Sequence, residues 1–584
     1  MSIFQNDLFL VTPIQIRRRS THDDIASAQT PAELLCALYA GRGLSDAEEA
    51  TPGLGLLELA QSLHGLDQAL ALLEEQLRAG GHLLVIGDYD ADGATGSALA
   101  VRGLQALGAA RVSYLVPSRF AFGYGLSPAV VDLAATHQPD LIITVDNGIA
   151  SLAGVARAHE LGIPVLVTDH HLPGDQLPDA AAIVNPNQPG CDFPSKHLAG
   201  VGVVFYLLAA LRTRLRERGW FDSGRTAPNL ADLLDLVALG TVADVVTLDR
   251  NNRILVEQGL RRIRAGRCCP GILALLKVAG RDPAQVTTTD LGFFVGPRLN
   301  AAGRLEEMSL GVACLLTDDP VQAQALAQEL DDLNRRRREI EGEMKGQAEA
   351  LLDTLCFDGE TLPPALCLFG EDWHQGVAGI VAARIRERYH RPVIAFALAD
   401  DGLLRGSARS IDGLHIRDAI ALVDRRHPGL IERFGGHAMA AGLTLGAESL
   451  ADFREALIEA VLAQLGDVPP QPEIRSDGSL SARLLTLETA DMLRFAGPWG
   501  KGFPEPCFDG VFAVRQARIV GARHLKLRVA TPDGELFDAI GFNLGEQLPV
   551  AQGRVRLAYR LDVNEYRGVR SLQLVFDVLQ QADS

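Results

Sequence analysis

Aspartate and histidine side chains follow three short apolar segments in the first third of the 584-residue sequence. Residues 88–93 carry aspartate at every second position, Asp146 begins the second group, and Asp169, His170 and His171 form the third. Carboxylates this close together repel one another, so they are stable only with cations between them or with some of them protonated. Oxygen and imidazole ligands without a thiolate favour Mn²⁺ or Mg²⁺ over Zn²⁺. Two such ions about 3.5–4 Å apart could clamp the attacking and leaving oxygens of a phosphoryl displacement.

Each of these groups follows a predicted strand of a parallel sheet. Short apolar segments alternate with helical segments, which is typical of a parallel sheet covered on both faces. In chain order the predicted strands are residues 83–86, 112–116, 141–145, 165–168 and 181–184. Because ligands bind beyond the carboxyl ends of such strands, the acids and histidines should meet at one edge of the sheet. A further acid, Asp244, follows a helical segment at 233–239.

Other interpretations of the acidic groups are weaker. A single aspartate after a strand is most often a helix N-cap or part of a solvated turn. Residues 88–93 also imitate an EF-hand loop, but that loop needs glutamate at its twelfth position, where Leu99 stands, and helices on both sides. The Asp-x-Asp pattern also occurs in aspartyl-phosphate enzymes, which do not need a nearby Asp-His-His. The joint occurrence of all groups favours the metal site.

The rest of the chain divides into three patterns. Residues 320–355 carry apolar side chains at three- and four-residue spacing, which predicts a helix long enough to connect two lobes. A new α/β segment begins at Pro363 and runs to about residue 465, where a proline-rich linker follows. Beyond the linker, residues 525–529 and 555–561 alternate between apolar and polar side chains, which predicts a small β-barrel or sandwich.

Composition excludes several classes of protein. Hydrophobic residues make up 47% and charged residues 22% of the chain, which is ordinary for a packed globular protein and excludes a disordered one. The longest apolar run, residues 201–211, is too short to cross a bilayer, and no signal peptide is expected. The eight cysteines form no CxxC pair, which indicates a reducing compartment. The net charge of −18 repels nucleic acid, so any nucleic-acid binding depends on local basic patches and metal ions.

The four acidic groups, in their order along the chain, resemble the motifs of the DHH phosphoesterase superfamily. These motifs are residues 88–93, 146–148, 169–171 and 240–244. Further segments resemble the branch of that superfamily formed by bacterial single-stranded-DNA exonucleases. They are residues 117–119 and 123–126, 296–304, two segments of a DHHA1 domain at 406–410 and 435–442, and the entry to a C-terminal OB-fold at 497–500 and 504–506.

The resemblance implies an α/β fold, with a parallel-sheet DHH catalytic domain joined by the long helix to a smaller α/β DHHA1 domain. A C-terminal β-barrel of the OB-fold type completes the chain. The domains implied are an N-terminal extension at 1–45, the DHH domain at 46–318, the connecting helix at 319–355, the DHHA1 domain at 356–466 and the OB-fold-like domain at 467–584.

The activity implied is that of a 5′-to-3′ single-stranded-DNA exonuclease that releases 5′-mononucleotides by two-metal phosphodiester hydrolysis with Mn²⁺ or Mg²⁺. The roles implied are recombinational repair and mismatch repair in the cytoplasm, with no membrane contact and with single-stranded-DNA-binding protein and a DNA helicase as partners. The alternative is a DHH-type hydrolase of short oligoribonucleotides, cyclic dinucleotides or polyphosphate, although such relatives are generally shorter and lack the β-domain. A DNA-binding accessory factor without metals is the alternative outside the enzymes.

The resemblance also assigns roles to residues. The catalytic set is Asp88, Asp90, Asp92, Asp146, Asp169, His170, His171 and Asp244, of which Asp90, Asp92, Asp146, His170 and Asp244 are expected metal ligands. Asp146 and Asp244 are the expected shared ligands, while Asp88 and Asp169 fix a turn or an imidazole tautomer. Neighbouring side chains diverge on a strand, so His170 is assigned to metal and His171 to the scissile phosphate. Ile86 stands where some relatives carry a histidine ligand.

Nucleic-acid contacts are expected from a second set of residues, namely Arg119, Arg298, Asn300, Arg304, Ser407, Arg409 and His437. Arginine forks match phosphate oxygens, so Arg298 and Arg304 are expected on the DNA backbone together with Asn300. Ser407 and Arg409 are expected to hold the terminal 5′-phosphate with help from Arg119, and His437 to approach the site from the second lobe. The alternative for Arg298, Asn300 and Arg304 is salt bridging at a domain junction, and the alternative for His437 is a polar residue in a helix-entry turn. The arginines at 335–338 on the long helix could follow the DNA, with a solvated helix face as the alternative.

Overall fold

The computed structural model describes residues 14–19, 24–44, 53–222, 224–355, 363–399, 401–466 and 472–582. The prolines at 469 and 470 of the predicted linker lie outside these ranges. Contacts divide the chain into a larger unit, residues 19–334 and 477–584, and a smaller unit, residues 1–18 and 335–476. Among the described residues, no helix combines the length and the apolar character needed to cross a membrane.

The strands in chain order are β1 (Gln15–Arg18), β2 (His82–Gly87), β3 (Arg111–Leu115), β4 (Leu141–Val145), β5 (Val165–Thr168), β6 (Ala182–Val184), β7 (Leu366–Gly370), β8 (Val393–Leu398), β9 (Leu403–Arg409), β10 (Arg433–Gly436), β11 (Ala440–Gly446), β12 (Glu473–Ser476), β13 (Phe508–Val520), β14 (His524–Ala530), β15 (Leu536–Gly541), β16 (Arg554–Tyr566) and β17 (Val569–Gln581). All five strands predicted in the first half are present, within one or two residues of the predicted bounds.

The helices in chain order are α1 (Asp24–Ser27), α2 (Pro31–Ala40), α3 (Leu66–Ala79), α4 (Ala91–Ala106), α5 (Arg119–Phe122), α6 (Pro128–Ala135), α7 (Leu152–Glu160), α8 (Gly200–Glu217), α9 (Leu234–Ala243), α10 (Arg250–Arg264), α11 (Pro270–Val278), α12 (Thr288–Asp290), α13 (Gly296–Leu305), α14 (Ser309–Leu316), α15 (Pro320–Leu355), α16 (Gln375–Tyr389), α17 (Ile416–Arg426), α18 (Leu450–Leu465) and α19 (Leu487–Phe495). A π-helical turn, Leu291–Val295, joins α12 to α13. The long helix predicted after residue 320 is confirmed as α15.

The larger unit is built on a five-stranded parallel sheet with the strand order β3-β2-β4-β5-β6. Alternate residues of β2 enter two different cores: Leu83 and Val85 pack with α3, α4 and α8, while Leu84 and Ile86 pack with α6 and α7. Helices therefore cover both faces, as the continuous apolar strands predict. The carboxyl ends of β2, β4 and β5 lie side by side, because these three strands are neighbours.

The C-terminal domain is a closed five-stranded barrel with the order β13-β14-β15-β17-β16, which confirms the predicted β-domain. Irregular pairing on β13 and β16 accompanies the curvature needed for closure. Phe508, Phe576 and Tyr559 are almost fully buried in the barrel core, against which α2 and α19 also pack.

The segment leading into the barrel packs on the sheet-bearing part of the larger unit. The rings of Trp499 and Phe503 stack 5.1 Å apart, and the guanidinium of Arg253 lies 4.4 Å from the Phe503 ring centroid. The backbone N–H of Leu248 donates to the carbonyl of Lys501 at 2.7 Å. This contact ties the barrel entry to the loop that follows α9, four residues beyond Asp244.

The smaller unit holds a second five-stranded sheet with the order β10-β11-β9-β8-β7, in which β7 and β8 are parallel and the other pairs antiparallel. Helix α16 packs on β8 and β9, and helices α17 and α18 pack on each other. The core includes Phe396 and Phe453, whose rings meet edge to face at 5.8 Å. Strands β1 and β12 form a separate parallel pair.

Candidate active site

The turn after β2 holds the first three aspartates and begins α4. Asp90 caps this helix: one carboxylate oxygen accepts from the N–H of Asp92 at 2.9 Å and from that of Gly93 at 3.0 Å. The cap explains why α4 begins at Ala91. A Cβ at Gly93 would lie 2.4 Å from the carbonyl of Asp88, so only glycine fits the turn.

Asp92 lies fully buried against the N-terminus of α8. Its two carboxylate oxygens accept from the N–H of Gly200 at 2.6 Å and from that of Val201 at 2.9 Å. Helix α8 has no side-chain cap of its own. The Asp92 carboxylate therefore accepts from two N–H groups that the helix leaves unpaired, and its charge interacts favourably with the positive end of the helix dipole. The same carboxylate lies 3.9 Å from Nε2 of His170.

Asp146 follows β4 in a left-handed backbone conformation, with φ of 62°. Its side chain is 2% exposed and packs against Gly200, where a Cβ would come within 2.6 Å of the Asp146 Cβ. The side-chain amide of Asn147 donates to the carbonyls of Ile86 and Val145 and so ties the end of β2 to that of β4. The acids after the two strands are therefore held at fixed separation.

Asp169 organises the two histidines that follow it. One carboxylate oxygen accepts from the N–H of His170 at 2.7 Å, from the N–H of His171 at 3.1 Å and from Nδ1 of His171 at 2.8 Å. The other oxygen accepts from the N–H of Ile149 at 2.9 Å. The carboxylate of Asp169 is thus occupied with positioning the His171 ring and the loop.

The expectation that the histidine side chains diverge is wrong. Their ring centroids lie 4.5 Å apart. Strand β5 ends at Thr168, so both residues lie in a loop to which strand alternation does not apply. Side-chain amides from beyond β6 fix this loop, since Asn187 donates to the carbonyl of His170 and Asn185 to that of His171.

Imidazole and carboxylate groups converge from four elements. Nε2 of His170 lies 3.0 Å from Oδ1 of Asp146 and 3.5 Å from Oδ2 of Asp244, which follows the last residue of α9. Three groups each bring their ligand atoms within 4.8 Å of one another: Asp146, His170 and His171; Asp92, His170 and Asp244; and Asp88, Asp90 and Asp146. Asp146 and His170 each belong to two groups.

The carboxylates raise one another's pKa values. Burial, followed by repulsion from Asp92 and its neighbours, raises the pKa of Asp146 well above the usual range. Burial and the Asp90 charge raise the pKa of Asp92 to about 7, even though two N–H groups bind it. The pKa values of Asp88 and Asp244 are also raised, first by burial and then by neighbouring aspartates. Positive charge between these groups would relieve the repulsion.

Hydrogen bonding lowers the pKa of Asp169. Burial opposes its ionisation, but the bonds from His171 and Ile149 more than compensate. The reciprocal effect appears at His171, where burial disfavours the charged ring and the Asp169 carboxylate raises the pKa to about 9. Asp169 therefore favours the charged form of the His171 ring, which it contacts at 2.8 Å.

The residues present fit divalent cations. The donor set is oxygen and imidazole nitrogen without a thiolate, which suits Mn²⁺ and Mg²⁺. Oδ1 of Asp146 is buried and accepts no hydrogen bond from the described part of the chain, although Nε2 of His170 approaches it. Ile86, where some relatives carry a ligand, lies in the apolar core on one face of the sheet.

An aromatic cluster covers one side of the acids. The hydroxyl of Tyr124 lies 3.1 Å from Nδ1 of His171 and 3.3 Å from the carbonyl of Asp146. The ring of Tyr89 meets that of Tyr124 edge to face, and the guanidinium of Arg119 lies 4.7 Å from the Tyr89 ring centroid. Arg119, expected on DNA, is therefore connected to His171 through the rings of Tyr89 and Tyr124.

Arg298 and Asn300, both expected on DNA, make contacts within the protein. Arg298 is 7% exposed, and its guanidinium bonds Asp331 at 2.8–2.9 Å and the carbonyl of Phe294 at 2.6 Å. The side-chain oxygen of Asn300 accepts from the N–H of Ala91 at 2.7 Å, at the start of α4. Both side chains hold α13 in place within the protein, as the salt-bridge alternative supposes for Arg298.

Arg304 remains a candidate for DNA contact. It is half-buried near the end of α13, directly after Gly303, where a Cβ would come within 1.9 Å of the Tyr89 carbonyl. This close approach brings Arg304 to the turn that carries Asp88 and Asp90, and its charge acts on the Tyr89 hydroxyl.

Replacing Arg298 by Ala is expected to destabilise the larger unit by about 3–5 kcal/mol, because the change deprives the buried Asp331 carboxylate of the guanidinium that offsets its charge. Denaturant unfolding of the purified variant measures the loss. A variant that combines Arg298→Met with Asp331→Leu is the control, since it removes both charges and should recover most of the stability. An Arg298→Ala protein as stable as wild type would show that the arginine is a surface contact instead.

The three residues expected from the second lobe all lie in the smaller unit. Ser407 and Arg409 lie on the same face of β9, where a Cβ at Gly379 of α16 would meet Arg409 Nη2 at 2.8 Å and Ser407 Oγ at 3.4 Å. His437 is exposed in the hairpin turn between β10 and β11, and its N–H donates to the carbonyl of Ala440 at 2.8 Å. The helix-entry turn considered for this segment is thus a β-hairpin.

Several site residues escaped the sequence argument. Asn185 and Asn187 follow β6, so the rule that picked out the other strand ends would have found them. Gly200 donates its N–H to Asp92 and, having no side chain, leaves room for Asp146. The sequence could have identified it only through a signal that α8 begins there. Tyr124 belongs to the motif at 123–126, but sequence spacing did not reveal its contact with His171.

Comparisons with family models match three separate parts of the chain. The model described as the DHH family, N-terminal domain, matches residues 82–241. The DHHA1 domain matches residues 363–463, and the RecJ OB domain matches residues 476–577.

Curated relatives match nearly the whole chain. The single-stranded-DNA-specific exonuclease RecJ of Salmonella typhimurium is 55% identical over 570 residues, which are 96% of this chain and 98% of the relative. The protein of the same name from Escherichia coli is 54% identical over 571 residues, 97% of this chain and 98% of the relative.

Solved structures give the same result. The crystal structure of RecJ in complex with Mn²⁺ from Thermus thermophilus has a TM-score of 0.79 at 32% identity, covering 98% of this chain and 80% of that one. The Mg²⁺ complex from the same organism has a TM-score of 0.74 at 31% identity, covering 98% and 79%.

Proposed function

The chain belongs to the RecJ family of single-stranded-DNA-specific exonucleases, and from that premise we propose which of its residues carry out the hydrolysis. The observation that carries the proposal is the convergence of three acid and imidazole groups, linked through Asp146 and His170, at the carboxyl ends of β2, β4 and β5. A sheet edge of this kind is where α/β enzymes bind their ligands.

Two divalent ions, Mn²⁺ or Mg²⁺, are assigned to this edge. Asp90, Asp92, Asp146, His170 and Asp244 would hold them, and Asp88 joins this set because its carboxylate lies with those of Asp90 and Asp146. When bound, such ions lower the pKa of a water and stabilise the charge on the attacking and leaving oxygens. The geometry favours Asp146 and His170 as the residues common to both ions, whereas the family pattern suggests Asp146 and Asp244.

The chain's own groups hold the substrate and the ligands in place. Asp169 and Tyr124 fix the ring of His171, which we assign to an oxygen of the scissile phosphate. Asn187 and Asn185 hold the loop of both histidines, and the N-terminus of α8 holds Asp92. A preorganised site of this kind needs little rearrangement when charge develops on the phosphate.

The direction of hydrolysis and the product released follow from the way the protein holds the end of the DNA strand. The chain is assigned 5′-to-3′ hydrolysis that releases 5′-mononucleotides, with Ser407 and Arg409 on the terminal 5′-phosphate and with Arg119, Arg304 and His437 as further contacts. The Ser407 hydroxyl and the Arg409 guanidinium lie on one face of β9, beside Gly379, which has no side chain to fill the space. Together they form a set of hydrogen-bond donors suited to a phosphate.

Replacing Arg409 by Ala is expected to remove the preference for 5′-phosphorylated over 5′-hydroxyl oligonucleotides. Loss of a charged hydrogen bond of about 1.5–3 kcal/mol should raise KM for the phosphorylated substrate by about 10-fold or more. Arg405→Ala is the matched control, because Arg405 lies on the same face of β9 and pairs with Asp401 and Thr444. Equal preference in the Arg409→Ala and wild-type proteins would refute this assignment.

The alternative substrates are not favoured. If the substrate were a short oligoribonucleotide, a cyclic dinucleotide or polyphosphate, the matching relatives should be hydrolases of those compounds. The relatives that match this chain over 96–97% of its length are instead named single-stranded-DNA-specific exonucleases. The chain also carries the barrel that matches the RecJ OB domain.

The remaining assignments rest on the family. Domain boundaries near residues 45, 318, 355 and 466 are retained, as are a cytoplasmic location and roles in recombinational and mismatch repair. Single-stranded-DNA-binding protein and a DNA helicase are the proposed protein partners, because an exonuclease for single strands needs a process that opens the duplex and keeps it open.

Digestion of one single-stranded oligonucleotide with Mn²⁺, labelled in separate reactions at its 5′ or 3′ end, tests the proposed function. Immediate release of the 5′ label as a mononucleotide, with a ladder of shortening 3′-labelled products, is the expected result. Duplex DNA and RNA of the same sequence serve as controls and should persist. Immediate release of the 3′ label, or hydrolysis confined to short RNA, would contradict the proposed polarity or substrate.

A further inference from the structure

A π-helical turn, Leu291–Val295, exposes an aromatic ring beside the site. Phe293 is 77% exposed, whereas Leu291 and Val295 in the same turn are fully buried. A π turn inserts an extra residue into a helix and is frequently found at functional sites. The buried residues anchor the turn and leave the Phe293 ring in solvent.

The turn packs on the last turn of α9, directly before Asp244. A Cβ at Gly292 would lie 3.3 Å from Cγ1 of Val242, and a Cβ at Gly296 would lie 3.1 Å from Cβ of Ala243. The next residue after Asp244 is Val245, which has a φ of 59° and is 60% exposed. Phe293 and Val245 are thus two exposed apolar residues, on the π turn and just after the end of α9 against which it packs, and we call this pair the Asp244 rim.

Supporting contacts hold the π turn in place. The guanidinium of Arg298 donates to the carbonyl of Phe294 at 2.6 Å, and that of Arg281 lies 4.5 Å from the Phe294 ring centroid. The hydroxyl of Thr288, three residues before the turn, donates to the carbonyl of Trp499 at 2.7 Å. A ring on such a braced segment loses little conformational freedom when a ligand stacks on it.

A cation lies close to the same rim. The exposed Lys501 follows the Trp499 segment, and its carbonyl accepts from the N–H of Leu248 at 2.7 Å. An exposed aromatic ring with a cation nearby matches the two parts of a nucleotide, its flat base and its phosphate.

We propose that Phe293 is a stacking platform for an unpaired nucleobase of the DNA strand at the Asp244 edge of the active site, with Lys501 near the adjoining phosphate. Unpaired bases have free faces, whereas bases inside a duplex are covered by their neighbours, so the platform favours single strands. Stacking on an aromatic face does not depend on base identity, which suits an exonuclease that must accept every base. The proposal rests on the proposed function, since it supposes that single-stranded DNA is hydrolysed at this site.

Steady-state kinetics on a single-stranded oligonucleotide provide the first test. Phe293→Ala is expected to raise KM by about 10-fold with little change in kcat. Phe293→Trp should restore the wild-type KM, and Phe293→Leu should not, because leucine is apolar but has no ring. Val321→Ala is the control, since Val321 is 78% exposed and lies on α15. Wild-type hydrolysis in the same assay separates failure of this platform from failure of the proposed function.

Abasic substrates locate the stacked base. In a series of oligonucleotides with one abasic site moved stepwise from the 5′ end, one position should raise the wild-type KM by about 10-fold. The same position should have no further effect in Phe293→Ala, because the ring and the base act on each other. An unchanged KM in Phe293→Ala, equal restoration by leucine and tryptophan, or no sensitive abasic position would each overturn the proposal.

Discussion

Replacing Asp146 by Asn is expected to lower kcat for single-stranded DNA at least about 1000-fold. Asp146 belongs to two of the three ligand groups and lies 3.0 Å from His170, so its loss disturbs both proposed ion sites at once. Several kcal/mol of transition-state stabilisation depend on such ions, and each 1.36 kcal/mol is a factor of about ten in rate. Asparagine is the appropriate substitute, because it tolerates the left-handed backbone that this residue adopts.

The control for this variant is Asp318→Asn. Asp318 is an exposed aspartate whose ion pair with Arg102 lies at the surface, so its replacement should leave kcat unchanged. Both proteins should be compared with wild type under single-turnover conditions with saturating Mn²⁺. Activity of the Asp146→Asn protein within about tenfold of wild type would refute its assignment as a shared ligand.

Mn²⁺ is expected to stabilise the protein substantially, and the Asp146→Asn variant is expected to lose most of this effect. In the absence of cations, burial and mutual repulsion make the charged forms of Asp88, Asp146 and Asp244 unfavourable, as their raised pKa values indicate. A cation that binds only the folded protein contributes about 2.7 kcal/mol at one hundred times its dissociation constant. Thermal unfolding with and without Mn²⁺ measures the stabilisation as a rise in Tm.

Without metal, the order of thermal stability of the two proteins is expected to reverse. Removing one of the repelling charges should give the metal-free Asp146→Asn protein a higher Tm than metal-free wild type, whereas wild type should be more stable with Mn²⁺ present. An equal rise in Tm with Mn²⁺ for both proteins would show that the ion binds elsewhere.

The sheet and the barrel were predictable because periodicity reports burial directly. Continuous apolar segments such as residues 141–145 are required by a strand covered on both faces, and alternation at 525–529 is required by a barrel wall. The acids and histidines were predictable as a group because all but one directly follow parallel strands that end at one edge.

Features that depend on tertiary contacts were not predictable. Strand alternation suggested that the side chains of His170 and His171 diverge. Strand β5 ends before these residues, however, and the Asp169 carboxylate accepts a hydrogen bond from the backbone N–H of each. Arg298 and Asn300 have the right chemistry for phosphate and instead bond Asp331 and the start of α4. The π turn that exposes Phe293 depends on contacts with α9 that no local pattern encodes.

The central claim of two ions held at one sheet edge is tested most directly by a crystal soaked in Mn²⁺ and measured by anomalous scattering. The expected map contains two peaks about 3.5–4 Å apart, with Asp146 bonded to both and with His170 and Asp244 bonded to at least one. A single peak, or two peaks that leave Asp146 outside bonding distance, would contradict the assignment.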